Sequence, residues 1–111
     1  MSFQNITAIN AVAVAAGAAN DPVPIQLDYS LNEILIYVKN IGDSTNLTVL
    51  LESSPDAEGV FKAPLQTCTL STTTRTAVIP VSNVPAYIFV TATNSDSSNA
   101  TTYSVIISKR A

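Results

Sequence analysis

The sequence predicts an all-β protein, a β-sandwich built as an eight-stranded jelly roll with an extended N-terminal arm. About eight or nine short segments alternate apolar and polar residues at spacings of roughly 8 to 12 residues, with turn-forming residues between them. No segment shows the periodicity of an amphipathic helix. At 111 residues and 11.7 kDa the chain is long enough for one domain with a core and too short for two.

Residues 1–20 differ from the rest of the chain, because they carry no charge and consist mainly of small side chains. We therefore divide the chain into an N-terminal arm or connector, residues 1–20, and a β-sandwich domain, residues 21–111. Valine and isoleucine among the alanines favour an extended strand. Such a strand can pair with its own sheet or with that of a neighbouring subunit, and we expect it to reach a neighbour. The side chains expected to make this intersubunit contact are Phe3, Ile6, Ile9, Val12 and Val14.

A proline-containing connector, residues 21–24, leads into the second strand. Pro24 has no N–H to donate, which restricts pairing here to an edge strand or to the start of a strand. Ile25, Leu27 and Tyr29 then alternate with polar residues, as in a half-buried strand.

The stretch from Leu31 to Phe61 has the clearest strand pattern in the chain and is predicted to form a β-hairpin. Two alternating runs flank the five-residue segment 40–44, which is rich in turn-forming residues. Gly42 is expected to supply a positive φ in this connection. The apolar positions of the two runs are Ile34, Ile36, Val38, Leu47, Val49 and Leu51.

Further strands are predicted at residues 59–65, 67–71, 75–82, 86–93 and 101–109. In the fourth of these, Tyr87, Phe89, Thr91 and Thr93 are expected to share one face. Several strands also carry apolar residues on the face expected to point outward. A lone small sandwich usually keeps that face polar, so the surplus favours coverage by other subunits. The residues concerned are Leu35, Tyr37, Leu50, Val78, Ile88, Val90 and Ile106.

The composition excludes several functional classes. Charged residues make up 12% of the chain, the net charge is −3, and the few basic residues are scattered, so no nucleic-acid surface is predicted. Histidine is absent, which removes the commonest general base and metal ligand. Neither a catalytic triad, a calcium loop nor a glycine-rich phosphate loop can be assembled. We predict no enzyme activity, no catalytic or metal-binding residue and no cofactor, and the sequence does not favour a small-molecule ligand.

A single cysteine, Cys68, rules out a disulfide within the chain. A lone cysteine is most often a small buried apolar residue, but on an exposed face Cys68 would be a candidate cross-link between subunits. Four tyrosines, Tyr29, Tyr37, Tyr87 and Tyr103, keep carbohydrate binding open as an alternative, although the chain has no tryptophan.

The N-terminus lacks the basic and apolar regions of a secretory signal, so we expect synthesis in the cytoplasm without a signal peptide. No apolar run is long enough to span a membrane.

The pattern IYVKNIG at residues 36–42, followed by LTVLLESSPD at residues 47–56, resembles one found in small β-sandwich proteins of Firmicutes and in phage structural proteins. Among these, the whole chain resembles the endospore-appendage subunits of bacilli. The resemblance implies an eight-stranded jelly roll whose subunits stack into fibres. Adjacent sheets would join edge to edge, and the N-terminal connector would reach into a neighbour.

One feature departs from this resemblance. The appendage subunits carry cysteines in the N-terminal connector, whereas residues 1–20 of this chain contain none. We predict a non-enzymatic subunit whose partner is itself. It would assemble into a fibre through edge-strand pairing and the N-terminal arm, on a spore or cell surface or in a virion. The alternatives are a bacteriophage virion or decoration protein and a carbohydrate-binding β-sandwich module.

Overall fold

The computed structural model describes residues 3–27 and 33–110, without the side chains of Phe3 and Arg110. This part of the chain forms eight strands and no helix, and so none that could cross a membrane. The strands are β1 (Phe3–Val14), β2 (Val23–Gln26), β3 (Glu33–Asn40), β4 (Leu47–Ser54), β5 (Ala63–Leu70), β6 (Thr76–Ser82), β7 (Tyr87–Asn94) and β8 (Thr101–Arg110).

The strands form two four-stranded sheets with antiparallel pairing throughout. The first sheet has the order β1-β8-β3-β6 and the second has the order β2-β7-β4-β5. This order, in which most consecutive strands belong to different sheets, is that of a jelly roll. The predicted fold class is therefore confirmed. β2, which contains Pro24, is an edge strand, as the proline predicts.

The core lies between the two sheets and is almost entirely aliphatic. Alternating residues of the central strands are fully buried there, which explains the regular apolar pattern of the sequence. The largest fully buried side chains are Tyr103, Ile34, Ile36, Leu47, Leu51, Leu70, Ile88, Val14, Val38, Val49, Val90 and Val105.

The predicted β-hairpin between residues 31 and 61 is wrong in its pairing. β3 pairs with β6 and β8 in the first sheet, whereas β4 pairs with β5 and β7 in the second. Residues 41–46 therefore cross from one sheet to the other. Gly42 does not have a positive φ. Glycine is needed there because a Cβ would lie 2.8 Å from the Cα of Thr101.

Two other expectations for individual strands are also wrong. Residues 59–65 and 67–71 are not separate strands. A bulge at Leu65 lets one strand, β5, continue past Pro64, and residues 59–61 belong to the turn before it. In β7 the core-facing residues are Ile88 and Val90, which were expected to point outward. Leu31 and Tyr29 lie outside the described residues.

A polar network closes the end of the sandwich where β3, β5 and β7 finish. The buried amide of Asn40 donates to the carbonyl of Ser44 at 3.0 Å and accepts from the Thr101 hydroxyl at 2.6 Å. The Ser44 hydroxyl donates to Asn94 Oδ1 at 2.6 Å. Hydrogen bonds between these buried polar groups therefore fix the connections at this end of the sandwich.

Candidate assembly surfaces

The outer face of the first sheet carries the apolar surplus that the sequence predicts. Cross-strand pairing places Ile106 beside Tyr37, and Tyr37 beside Val78, in one row across β8, β3 and β6. Leu35 follows on β3, two residues from Tyr37. We call Leu35, Tyr37, Val78 and Ile106 the apolar face. Leu35 and Tyr37 are half-buried, while Val78 and Ile106 are exposed.

A groove of about 750 Å³ runs along the apolar face. Leu35, Tyr37 and Ile106 are among its apolar lining residues, and Lys39 contributes a cation. The groove is also lined by Asn5, Ile41, Thr76, Ser104 and Ser108. Its lining surface is thus mainly apolar, with polar side chains among the residues that form it.

The outer face of the second sheet has the opposite character. Its cross-strand rows consist of threonines from β7, β4 and β5, with Leu50 as an apolar member. We call this surface the threonine face, and its threonines are Thr48, Thr67, Thr69, Thr91 and Thr93.

Another large apolar residue on this side, Phe89, is covered by its own chain. Although Phe89 alternates with the core residues of β7, only 5% of it is exposed. Lys62 Nζ lies 5.3 Å from the centre of the ring, and a Cβ on Gly59 would lie 3.0 Å from its Cζ. Glu52 holds Lys62 by an ion pair of 3.8 Å. The β4–β5 connection, residues 55–62, therefore folds over Phe89.

The same connection presents two neighbouring apolar side chains to solvent. Val60 is 72% exposed and Phe61 is 73% exposed, and we call these two residues the tip. The Asp56 carboxylate accepts the N–H of Val60 at 2.9 Å and the N–H of Phe61 at 3.3 Å. These bonds, led by the one from Val60, hold the pKa of Asp56 below its ordinary value of 3.8. Gly59, at φ +72°, makes the turn.

The tip was missed in the sequence because residues 59–65 were interpreted as a strand. A signal was present, since Ser54, Pro55, Asp56 and Gly59 are turn-forming residues that directly precede the tip.

The predicted N-terminal arm forms an edge strand of its own subunit in the structure. β1 pairs with β8 through Val14, opposite Thr101. Ile9 and Val14 are buried in this chain's core, whereas Ile6 and Val12 are 41% and 39% exposed at the edge. Of Phe3 only the backbone is described, opposite Arg110. The intersubunit role of these residues stays a prediction.

Two bulges in β1 explain how residues spaced three apart share one face. Ile6, Ile9 and Val12 lie opposite Ile107, Val105 and Tyr103, with a register shift after Thr7 and another after Ile9. Within the second bulge Ala11 has φ +48°, and its N–H donates to Ser104 Oγ at 2.8 Å. Each bulge adds one residue to β1, so every third residue here, and not every second, lies on the face of the sheet that points to the core.

Cys68 is buried on β5, and burial raises the pKa of its thiol. A thiol in this environment is protonated and shielded from another subunit. The cross-link predicted as one alternative for Cys68 would require β5 to move.

The tyrosines do not converge on one site. Tyr103 is fully buried, Tyr37 lies on the outer side of the first sheet, and Tyr87 lies on the outer side of the second sheet. Tyr29 is outside the described residues. A carbohydrate site would therefore have to rely on a single described tyrosine.

Asp96 caps its loop by side-chain hydrogen bonds, as Asp56 does at the tip. Asp96 accepts hydrogen bonds from the Asn99 side chain at 3.0 Å, from Ser98 N at 2.9 Å and from Thr45 Oγ1 at 2.9 Å. The bond from Asn99, followed by those from Ser98 and Thr45, holds the pKa of Asp96 far below its usual range. Across residues 3–27 and 33–110, no three His, Cys, Asp or Glu side chains are grouped to hold a metal ion.

The comparison with solved structures gives the same fold. No protein-family model matches the chain, and no curated protein is similar to it in sequence. A solved structure of Bacillus endospore appendages, described as a novel family of disulfide-linked pili, is similar with a TM-score of 0.53 and 15% identity. The similarity covers 98% of this chain and 90% of that one. At this identity the likeness shows that the two proteins share a fold.

Proposed function

We propose that this chain is a non-enzymatic structural subunit that self-assembles into a fibre on a spore or cell surface. The observation that carries the proposal is the similarity to a pilus subunit along 98% of the chain. The apolar face supports it independently, because an uncovered row of large apolar side chains on a small sandwich marks a contact surface.

The edges of the sheets suggest how the subunits join. β2 and β6 each carry a proline within the strand, Pro24 and Pro80, which donates no N–H to a partner. β1 has 12 residues, and β5 has eight, of which residues 65–70 contain no proline. We propose that β1 of one subunit pairs with β5 of the next. Because two different edges meet, the contact can repeat from one subunit to the next, as a fibre requires.

This fibre would not depend on disulfides. The related pili are disulfide-linked, whereas this chain has one cysteine, and it is buried. Backbone hydrogen bonds between edge strands and apolar contacts would supply the cohesion. Ile6 and Val12, exposed along β1, are placed to contact the neighbour.

Negative-stain electron microscopy of the purified protein, with size-exclusion chromatography, tests the proposal. We expect uniform fibres that persist under reducing conditions. A monomer of 11.7 kDa at every concentration and salt condition would contradict the proposed function.

A further inference from the structure

We propose that the tip of one subunit inserts into the groove of a second copy of the chain. This inference rests on the proposed function, since it adds a second contact to the same fibre. The contact uses the faces of the sandwich rather than the edges β1 and β5. The tip enters the neighbour's groove while the threonine face stays uncovered, and this contact adds to strand pairing.

The tip is already shaped for insertion. Val60 and Phe61 are the most exposed large apolar residues among those described. The Asp56 carboxylate fixes their backbone, and Ser54 Oγ donates to Asp56 Oδ2 at 3.2 Å. The packing of Gly59 and Lys62 against Phe89 fixes the base of the turn. Because the turn is ordered before contact, little conformational entropy is lost when the tip binds.

The groove matches the tip in size and in chemistry. Its volume of about 750 Å³ accommodates the side chains of Val60 and Phe61, and its apolar lining would remove both from water. The Tyr37 ring lines the groove and would pack against Phe61. Aromatic pairs of this kind are favourable and are common at the centre of interfaces.

The charges around the two surfaces are complementary. Lys39 lines the groove, and Glu58 precedes the tip by two residues. Both side chains are exposed, and neither makes an ion pair among the described residues. A pair at the rim of an interface sets its orientation more than its strength, so Lys39 and Glu58 would fix the direction of insertion.

The positions of the tip and the groove make the contact open-ended. The groove lies on the outer side of the first sheet, and the tip lies on the outer side of the second. Each subunit therefore presents a groove on one side and a tip on the other. Two different patches that meet in this way repeat from copy to copy.

Site-specific cross-linking tests the contact in the full chain. In a Cys68→Ala background we expect the Phe61→Cys/Ile106→Cys variant, oxidised by oxygen with copper phenanthroline, to form a ladder of multimers on a non-reducing gel. The matched control is Phe61→Cys/Thr91→Cys, which moves the second cysteine to the threonine face. We expect at least about tenfold less material beyond the dimer in this control. Equal ladders, or no ladder from either variant, would overturn the inference.

A charge exchange tests the same contact while the tip keeps its apolar side chains. Lys39→Glu and Glu58→Lys should each raise the protein concentration needed for assembly about two- to fivefold at low salt, and the double variant should restore it. A double variant no better than either single variant would contradict the inference. Wild-type fibres without these effects would overturn only the tip–groove contact, whereas a wild-type protein that forms no fibres would contradict the proposed function.

Discussion

The two outer faces of this sandwich differ in whether the chain itself covers their large apolar residues. On the second sheet, the large apolar residue Phe89 is covered by the chain's own β4–β5 connection, and threonines occupy most of the remaining surface. On the first sheet, Tyr37, Val78 and Ile106 form a row that nothing in the described chain covers. Phe89 on the second sheet thus stabilises the subunit, while the apolar face of the first sheet is available to a partner.

The largest effect expected from this comparison concerns Phe89. Phe89→Ala should lower the free energy of unfolding by about 3 kcal/mol, because it removes a buried ring and leaves a cavity beneath the connection. The matched variant Ile106→Ala should cost less than about 1 kcal/mol, since Ile106 is exposed. Chemical denaturation of both variants measures the difference. Similar losses would mean that the two faces contribute alike to the stability of the subunit.

For assembly we expect the opposite, with the larger effect from a substitution on the first sheet. Ile106→Lys places a charge in the apolar face and should raise the concentration needed for fibre formation by at least about tenfold, the effect of losing a central interface residue. Thr91→Lys places the same charge on the threonine face and should change it by less than about twofold. Light scattering as a function of protein concentration distinguishes the two. If Thr91→Lys were the more harmful, the partner would bind the second sheet.

The two capping aspartates allow a test by pH. The pKa of each is lowered by hydrogen bonds in the folded chain, so each favours folding above its ordinary pKa of 3.8. This stabilisation is lost as the pH falls below that value through the folded pKa. Asp56→Asn and Asp96→Asn should both weaken the dependence of unfolding on acid.

Only one of these aspartates holds the tip. We therefore expect Asp56→Asn to reduce assembly at neutral pH, whereas Asp96→Asn should not. Fibre yield at pH 7 provides the measurement. Equal yields from both variants would show that the order of the β4–β5 connection has no part in assembly.

The smallest effect on stability is expected for Tyr103, on the core-facing side of β8. The hydroxyl of Tyr103 is buried without a hydrogen-bond partner among the described residues. Tyr103→Phe should leave stability unchanged or raise it by up to about 1 kcal/mol. Ser44→Ala, which removes a paired buried hydroxyl, should instead cost about 1–3 kcal/mol. Thermal unfolding compares them, and a marked loss in Tyr103→Phe would indicate a hydrogen bond to water.

Most strands could be predicted from the sequence, but their partners could not. Alternation in residues 33–40 and 47–54 shows which side chains share a face, and these assignments hold in the structure. It does not show whether consecutive strands pair or enter different sheets. The crossing brings Gly42 close to Thr101, and that contact joins residues far apart in the chain.

Face assignments fail where both sides of a strand are apolar. In β7, Ile88 and Val90 point into the core, while Phe89 on the opposite side lies beneath the β4–β5 connection. Both sides of the strand are therefore apolar, and alternation does not identify the side that faces the core. The faces of β3 were predicted correctly because the charged residues Glu33 and Lys39 share a face with Leu35 and Tyr37 and mark it as the outer one. The groove and the tip depend on tertiary packing, and the sequence predicts only the surplus of apolar residues from which they are built.

Hydroxyl-radical footprinting of the assembled protein, compared with the same protein diluted below its assembly concentration, shows which face of the sandwich another copy covers. Tyr37 and Ile106 should lose reactivity on assembly, while Leu50 on the second sheet should keep the reactivity it has in the diluted protein. The apolar face would then be the surface covered by another copy of the chain. Unchanged reactivity at Tyr37 and Ile106 in the assembled protein would contradict the account.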